Sequence, residues 1–402
     1  MAVSFQDIEK ALQRVRPIIS PTQLAFSQSF SNFTGRDIFI KWENKLRTGS
    51  FKERGAINVL SMLTDAQKAK GVCAASAGNH ALALSYHAAR MKVPCTIVMP
   101  TTAPLVKVES TQKTGAEVIL QGTTFDEAYD YCLNLSQERG LEFVSAFDDE
   151  RVVAGQGTCG LEILDQLAGF DSIIVPIGGG GLMAGIATAI KTRRPEVLTL
   201  GVYSEWAFQA KADLSAGKPR PSLPPATIAD GIAVKRAGKV TQPIIDAVVD
   251  QKTTVSESEI ARAIVKLLEF EKTVVEGAGA AAIAALLAGA LPADRKRVVV
   301  LVCGSNIDMN VLSRLLERDM AERGRLLNIR VSVPDRPGSL HFTAGIVARA
   351  GANVLHVLHD RSFSRIPSNV DITLKLEVRN KGHKETILQE LAANGIEAVV
   401  TE

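Results

Sequence analysis

A single lysine, Lys52, stands where an apolar extended segment turns into a helix. Ile38–Ile40 forms the extended segment, Gly49 and Ser50 supply the turn, and the helical pattern continues to Leu60. A primary amine held at such a turn forms a Schiff base with a carbonyl cofactor if burial or neighbours lower its pKa from about 10.4. Because a lysine at a helix start is more often a solvated surface charge, other residues must supply the partners of a site.

The second candidate is a run of four consecutive glycines: Gly178, Gly179, Gly180 and Gly181. They follow a predicted strand and open a predicted helix, so free backbone N–H groups converge at the positive end of that helix, an arrangement that binds phosphate. The run also matches the dinucleotide pattern G-x-G-x-x-A, with Glu205 placed as the ribose acid. Nicotinamide cofactor binding and a purely structural turn therefore remain alternatives.

Two further turns follow predicted strands. The first contains five residues with varied donors: Ser76, Ala77, Gly78, Asn79 and His80. Its hydroxyl, amide and backbone N–H groups suit a carboxylate, although the turn taken alone is better explained as an ordinary helix N-cap. The second, Cys303 to Asn306, lies at the carboxyl edge where open α/β sheets bind ligands. Its thiol is either core filler or a weak donor to a ring nitrogen.

Composition narrows the function classes. A net charge of +3, with no basic cluster among aromatic residues, argues against nucleic acid as a partner. The longest apolar segment, Ala278 to Leu291, is too short to span a bilayer. Five widely spaced cysteines without a C-x-x-C pair predict reduced thiols in a cytoplasmic protein. No metal site is predicted, because His356 and His359 fall on opposite faces of a predicted strand.

The 402 residues predict two or three compact units. Short apolar runs alternate with helical patterns, including a helix from Gly160 to Leu167, which is typical of one large α/β region around a parallel sheet. The predicted strands of this region are Val72–Ala75, Cys95–Met99, Glu117–Leu120, Ser172–Pro176, Thr199–Tyr203 and Val298–Val302. A proline-rich stretch from Ala216 to Gly238 predicts a loop. Residues 328–402 follow a βαββαβ order and predict a small ferredoxin-like domain.

These motifs together resemble the threonine dehydratases, pyridoxal-phosphate enzymes of the tryptophan-synthase-β-like fold, also called fold type II. The residues that carry the resemblance are T-G-S-F-K-E-R-G-A at 48–56, S-A-G-N-H-A at 76–81, G-Q-G-T at 155–158, the glycine run with Leu182, and C-G-S-N at 303–306. The resemblance implies a two-lobed catalytic domain over residues 1–327, with a small lobe, about 48–151, inserted in the large one. The tail is similar to an ACT regulatory domain through D-R-P-G-S-L at 335–340.

The resemblance also implies a role for each candidate residue. Lys52 would bind pyridoxal phosphate covalently and remove the α-proton, Phe51 would lie against the ring, and Asn79 would bond the phenolic oxygen. The phosphate would be held by Gly178, Gly179, Gly180, Gly181 and Leu182. The substrate carboxylate would be held by Ser76, Ala77, Gly78, Asn79 and His80. Cys303 would face the pyridine nitrogen, and a thiol of pKa about 8.5 stabilises a pyridinium poorly, which favours β-elimination over transamination.

The implied activity is dehydration and deamination of L-threonine and L-serine to 2-oxobutanoate or pyruvate plus ammonia. The cofactor phosphate would help to protonate the departing hydroxyl. Alternatives are another β-hydroxy amino acid, such as 3-hydroxyaspartate or phenylserine, serine racemisation, or an amino-acid sensor with a vestigial site. The ACT-like tail implies a homo-oligomer, a dimer or tetramer, with an amino-acid effector and allosteric control.

The sequence departs from the family pattern at two places. Leu82 and Ala83 stand where relatives usually have Gln-Gly, and Tyr203-Ser204 stands where Glu-Pro is common. The other positions that would supply divalent-cation ligands hold Ala207 and Gln209. Because no carboxylate remains, the divalent site of serine-racemase-like relatives is predicted to be absent, and the substrate preference stays open.

Overall fold

The apolar runs of the sequence become strands of two parallel sheets. The structure is a computed structural model that describes residues 2–206, 227–234, 238–362, 364 and 366–401. Chain contacts divide it into two units, Met1–Ile307 and Asp308–Glu402. Ala207, Gln209 and most of the proline-rich stretch predicted as a loop lie outside the described residues. Within the described part of the chain, no helix is long and apolar enough to cross a bilayer.

The elements of the first unit follow the chain in order. The helices are α1 (Phe5–Val15), α2 (Gln28–Thr34), α3 (Lys52–Met62), α4 (Asp65–Lys70), α5 (Asn79–Arg90), α6 (Leu105–Gln112), α7 (Phe125–Arg139), α8 (Glu150–Gln166), α9 (Gly181–Arg193), α10 (Thr241–Val248), α11 (Glu257–Glu271) and α12 (Gly277–Leu287). The strands are β1 (Leu24–Phe26), β2 (Asp37–Trp42), β3 (Val72–Ala75), β4 (Cys95–Met99), β5 (Glu117–Leu120), β6 (Glu142–Phe143), β7 (Ser172–Pro176), β8 (Leu198–Ser204), β9 (Gln251–Val255) and β10 (Arg297–Val302).

The larger sheet has six strands in the order β1-β2-β10-β7-β8-β9. Only the β1–β2 pairing is antiparallel, so the other strands end at one edge. Strands β7 and β10 are neighbours, with Val300 paired to Ile174, and both are buried. The glycine run after β7 and Cys303 after β10 therefore emerge side by side.

The smaller sheet has four parallel strands in the order β5-β4-β3-β6. Strand β3, which leads into the turn at Ser76, belongs to this sheet and not to the larger one. The expectation of one sheet region was therefore wrong in this respect. Strands buried on both faces look alike in sequence, so their pattern does not reveal which of them pair.

Helix α8 begins at Glu150, ten residues before the predicted start at Gly160. Gly155 and Gly157 of the motif G-Q-G-T lie inside it, at close contacts with other helices. A Cβ on Gly155 would lie 2.7 Å from the Arg54 carbonyl in α3, and a Cβ on Gly185 in α9 would lie 2.5 Å from the Gly157 nitrogen. The Gly-Gln-Gly-Thr motif therefore lets α8 approach two neighbouring helices.

The second unit contains α13 (Met309–Glu322), β11 (Leu326–Pro334), α14 (Ser339–Arg349), β12 (Asn353–Asp360), β13 (Asn369–Glu377), α15 (Lys381–Ala393) and β14 (Ala398–Val400). From β11 onward the order is βαββαβ, and the antiparallel sheet runs β12-β13-β11-β14, the ferredoxin-like arrangement. Alternate residues such as Ile329, Ile372 and Leu374 form its buried core. Helix α13 belongs to this unit, where Glu317 pairs with Lys375 of β13 at 2.8 Å, so the unit starts before the boundary predicted near Asn328.

Candidate active site

Lys52 is the first residue of α3, as the sequence predicts. The preceding turn needs the positive φ of Gly49, +79°, which residues with a side chain rarely adopt. The Lys52 residue is half-buried, and its Nζ donates to the Ala146 carbonyl at 2.6 Å and lies 5.0 Å from the centre of the Phe51 ring. Burial lowers the pKa of Lys52 to about 8, against the opposing attraction of Cys303 and Glu276. About a tenth of this amine is therefore unprotonated at pH 7, far more than for a lysine of ordinary pKa.

The two residues after Lys52 fix the start of its helix. Glu53 is fully buried and accepts from the Thr48 N–H in the preceding turn and from His87 Nε2 at 2.7 Å. Arg54 is also fully buried and pairs with two carboxylates at 2.6 and 2.7 Å. These bonds hold both sides of the turn, so the position of Lys52 is set by its neighbours in sequence.

Cys303 and Lys52 are joined through their backbones. Phe51 N–H donates to the Cys303 carbonyl at 3.2 Å, Ser50 pairs with Gly304, and Ser305 N–H donates to the Gly49 carbonyl at 2.9 Å. The Cys303 side chain is 3% exposed and its Sγ lies 3.6 Å from the Ala278 carbonyl. Burial raises the pKa of this thiol well above its ordinary value, so it stays protonated.

The four glycines have no room for side chains. A Cβ on Gly179 would collide with the Phe147 ring, and one on Gly181 would lie 3.0 Å from the Phe147 carbonyl. The other two glycines are enclosed in the same way, Gly178 by Ile232 and Gly180 by Ile245 and Thr241. Helix α9 starts at Gly181, followed by the buried Leu182. The run therefore presents bare backbone at the N-terminus of a 13-residue helix.

The turn from Ser76 to His80 is divided between two environments. Ser76 Oγ accepts from the Gly78 N–H at 3.2 Å, next to the half-buried Ala77. The Asn79 side chain points into the site, and its Oδ1 is buried with no partner in the described residues. The His80 ring instead bonds the Val144 carbonyl at 2.9 Å; burial, with the nearby Lys52 charge, lowers the pKa of His80 to about 4. His80 is therefore a neutral structural ring, and only its backbone faces the turn.

Sequence reasoning missed Glu276. This side chain is 6% exposed and accepts from Asn79 Nδ2 at 2.7 Å and from the Asn306 N–H at 3.0 Å. Burial, together with the Asp230 charge, raises the pKa of Glu276 to about 7. The available signal was a lone acid within the apolar, glycine-rich and alanine-rich stretch around 274–285.

The segment 145–148 was also missed. It supplies the Ala146 carbonyl to Lys52 and the Phe147 ring to the glycine run. Asp148 accepts from the N–H groups of Lys239 and Val240 at 2.9 and 2.7 Å, just before α10. One short segment thus contacts Lys52, the glycine run and the start of α10. No motif in the sequence predicts this role.

A cavity of about 360 Å³ opens beside these residues. Thr48 and Gly49 line it from the lysine turn, and Asn306 lines it from the Cys303 segment. Leu82 and Tyr86, one turn apart on α5, form another wall. The departure from the family pattern at Leu82 therefore lies on the wall of a cavity that adjoins the lysine turn.

Comparison with known proteins identifies the family. The model of the pyridoxal-phosphate dependent enzymes matches residues 15–304. An L-threonine ammonia-lyase of Thermotoga maritima is 43% identical over 396 residues, which is 98% of each chain. The processed form of threonine deaminase isoform 2 from Solanum lycopersicum has a TM-score of 0.72 at 35% identity, over 78% of this chain and 87% of that one.

Maize serine racemase also has a TM-score of 0.72, at 30% identity, over 80% of this chain and 99% of that one. These similarities confirm the predicted fold type II catalytic region and the predicted cofactor class. The chain therefore belongs to the family of pyridoxal-phosphate-dependent enzymes.

Proposed function

We propose that the protein is a threonine ammonia-lyase, which converts L-threonine to 2-oxobutanoate and ammonia and L-serine to pyruvate and ammonia. The observation that carries the substrate assignment is the 43% identity to an L-threonine ammonia-lyase across 98% of both chains. The geometry supports the chemistry, because an amine of lowered pKa, a glycine cradle and a buried thiol meet in one site.

The residues present fit pyridoxal phosphate. The four glycines are packed too closely by their neighbours to carry side chains, so they offer backbone N–H groups alone, and the start of α9 suits a phosphate. Asn79 directs polar atoms into the site, and its Oδ1 is buried and unpartnered among the described residues. Lys52 would hold the cofactor covalently through Nζ, with Phe51 beside the ring and Cys303 facing its nitrogen. When bound, the cofactor supplies an electron sink that makes the α-proton of an amino acid acidic.

The chain's own groups then divide the work. Lys52 Nζ accepts the α-proton, a task suited to an amine whose pKa is lowered to about 8. The turn from Ser76 to Asn79, with the backbone of His80, holds the substrate carboxylate. Cys303 keeps its proton, so it leaves the cofactor nitrogen without a strong acid and favours elimination. Leu82 lines the cavity beside the lysine turn.

The direct test uses purified protein loaded with pyridoxal phosphate. We expect a yellow protein that forms 2-oxo acid from threonine and serine, and a Lys52→Ala variant that loses both the colour and the activity, by at least about 10³-fold. Lys45→Ala, at an exposed lysine seven positions earlier, is the matched control and keeps both. A colourless protein that the cofactor cannot restore would contradict the proposal.

The same assay separates the alternatives for substrate and outcome. A panel of threonine, serine, 3-hydroxyaspartate and phenylserine, with chiral analysis of recovered serine, distinguishes elimination from racemisation. Faster turnover of a panel member other than threonine would move the assignment to that substrate. Recovery of D-serine faster than pyruvate would favour a racemase.

We also propose that the second unit is an ACT-like regulatory domain, that the enzyme is a cytoplasmic homo-oligomer, a dimer or tetramer, and that an amino acid regulates it. The proposal of an oligomer is supported by β12, an edge strand on which Leu355, Val357 and Leu358 are exposed.

The proposal of a cytoplasmic location is supported by the cysteines, because all five are free thiols. Light scattering tests the assembly, and rates measured with isoleucine, valine, threonine or serine added test the regulation. A monomer, or a rate that none of the four changes, contradicts the corresponding part.

A further inference from the structure

Glu276 is a buried carboxylate that the proposed reaction does not use. It occupies the N-cap position of α12, yet its side chain caps no N–H of that helix. A capping residue normally accepts from its own helix, whereas Glu276 reaches across to two other segments of the chain. The Glu276 carboxylate therefore does not serve as the helix cap of α12.

The carboxylate is held between the two sheets of the first unit. One oxygen accepts from Asn79, which follows β3 of the smaller sheet, and the other accepts from the Asn306 N–H, which follows β10 of the larger sheet. The Glu276 N–H donates to the Gly304 carbonyl at 3.2 Å. A Cβ on Gly304 would collide with the Glu276 Oε1, so this position needs a glycine to admit the carboxylate.

An amide side chain has two different ends, and its neighbours decide which end faces where. A carboxylate only accepts hydrogen bonds, so ionised Glu276 must face the nitrogen of Asn79. The Oδ1 of Asn79 is then left buried without a partner in the described part of the chain. A neutral Glu276 carries one hydroxyl, and because the Asn306 N–H still requires an acceptor, that hydroxyl is directed to Asn79, where Oδ1 accepts it.

We propose that Glu276 is a positioning residue whose charge decides which end of the Asn79 amide faces the cofactor. The inference rests on the proposed function and on the role that the family resemblance implies for Asn79, a hydrogen bond to the phenolic oxygen of pyridoxal phosphate. Ionised Glu276 leaves the second Nδ2 hydrogen of Asn79 for that oxygen. Neutral Glu276 turns the amide over and changes this contact.

The change in the charge of Glu276 is expected near neutral pH. Burial and the Asp230 charge raise the pKa of Glu276 to about 7, while Lys107, 3.1 Å from Asp230, acts in the opposite direction. Lys52 and Cys303 also face Glu276, but Lys52 would be covalently engaged and Cys303 stays protonated. Glu276 is thus the group whose ionisation changes near neutrality within this set.

The test follows the visible absorbance and the dissociation constant of bound pyridoxal phosphate from about pH 6 to about pH 8, one unit on either side of the Glu276 pKa. We expect wild-type absorbance to change with a midpoint near pH 7. Glu276→Gln presents a fixed donor to Asn79, so its spectrum should resemble the low-pH wild-type spectrum throughout. Its cofactor should bind about tenfold more weakly at the upper pH, the effect of one charged hydrogen bond.

Two further variants show that Glu276 acts through Asn79. Asn79→Ala should remove the transition although Glu276 is intact, and adding Glu276→Gln to it should weaken binding no further. Glu271→Gln, which changes a carboxylate that bonds Ser27 outside the site, is the matched control and keeps the transition. If Glu276→Gln does not fold, Glu276→Asp keeps the charge and should keep the transition with weaker binding.

Any one of three results would overturn the inference. The absorbance of Glu276→Gln could change with pH as it does in wild type, or Asn79→Ala could keep the transition. In the double variant, the dissociation constant could rise by the product of the two single-variant effects. The proposed function is judged separately, from 2-oxo acid formation by the wild-type protein in the same samples. A wild-type protein that binds cofactor but leaves threonine unchanged would refute the lyase assignment. The comparison of pH-dependent absorbance between wild type and the variants would still be valid.

Discussion

Lys52 and Arg54 are two residues apart on one helix, yet they belong to two opposite kinds of buried polar cluster. The Arg54 cluster consists of two cations and two carboxylates: Lys41, Arg54, Glu43 and Glu162. All four carboxylate oxygens accept hydrogen bonds. Although burial alone would raise it, Arg54 and Lys41 hold the pKa of Glu43 below its ordinary value.

The Lys52 site is unbalanced by comparison. Its amine has a lowered pKa, the Glu276 carboxyl has a raised pKa, and Asn79 Oδ1 lacks a partner among the described residues. A satisfied cluster stabilises one structure, whereas groups held away from their preferred protonation state are available for chemistry. The difference teaches that the burial of charged groups does not by itself mark a functional site.

The largest expected effect breaks the balanced cluster. Arg54→Met leaves two buried carboxylates without their shared cation, so we expect the free energy of unfolding to fall by about 3–5 kcal/mol. Urea unfolding followed by tryptophan fluorescence measures it, because both tryptophans, Trp42 and Trp206, lie in the first unit. Arg139→Met breaks an exposed pair with Glu117 and should lower it by less than about 1 kcal/mol. Equal losses in the two variants would contradict the comparison.

A smaller effect should appear in the pH dependence of the cofactor-free protein. Because the folded-state pKa of Glu276 is raised from 4.5 to about 7, its contribution to stability is present below about pH 4.5 and is lost as pH rises through 7. Over that window the unfolding free energy of wild type, relative to Glu276→Gln, should fall by about 2.5 kcal/mol. Urea titrations across the window measure this difference. A constant difference would show that Glu276 titrates normally.

The smallest effect has the opposite sign. The pKa of Lys52 is lowered from 10.5 to about 8, so the folded chain disfavours the ammonium, and this penalty is complete below pH 8 and disappears as pH rises to 10.5. Lys52→Met should therefore stabilise the cofactor-free protein at neutral pH by about 1 kcal/mol, a value reduced for solvent screening of a half-buried group. Lys45→Met, at an exposed position, should change little. If Lys52→Met instead lowers the free energy of unfolding, Lys52 stabilises the fold as the residues of the Arg54 cluster do, and the comparison fails.

The sequence predicted the elements that carry local signals. Strands β7 and β10 are continuous apolar runs. The glycines that follow β7 leave no room for residues with a side chain. The turn at Gly49 before Lys52 was also predicted, because a glycine and a serine before a helical pattern mark it. Each of these features depends on residues that are adjacent in the chain.

The features that escaped prediction depend on partners far apart. Glu276 bonds Asn79, 197 positions away, so its environment is invisible from neighbouring residues. The glycines of α8 look like helix breakers, but they are required by the closeness of α3 and α9. Pairing of strands into two sheets likewise depends on tertiary contacts, because buried parallel strands share one composition.

The backbone bonds between residues 49–51 and 303–305 give the site a fixed side and an adjustable side. Lys52 and Cys303 are tied to each other by main-chain pairing, which fixes their separation although α3 also packs on the smaller sheet. Asn79 follows a strand of that smaller sheet and is bonded to the Cys303 segment through the Glu276 side chain. Sequence changes in the smaller sheet can therefore retune substrate contacts while the attachment point and the ring partner keep their spacing.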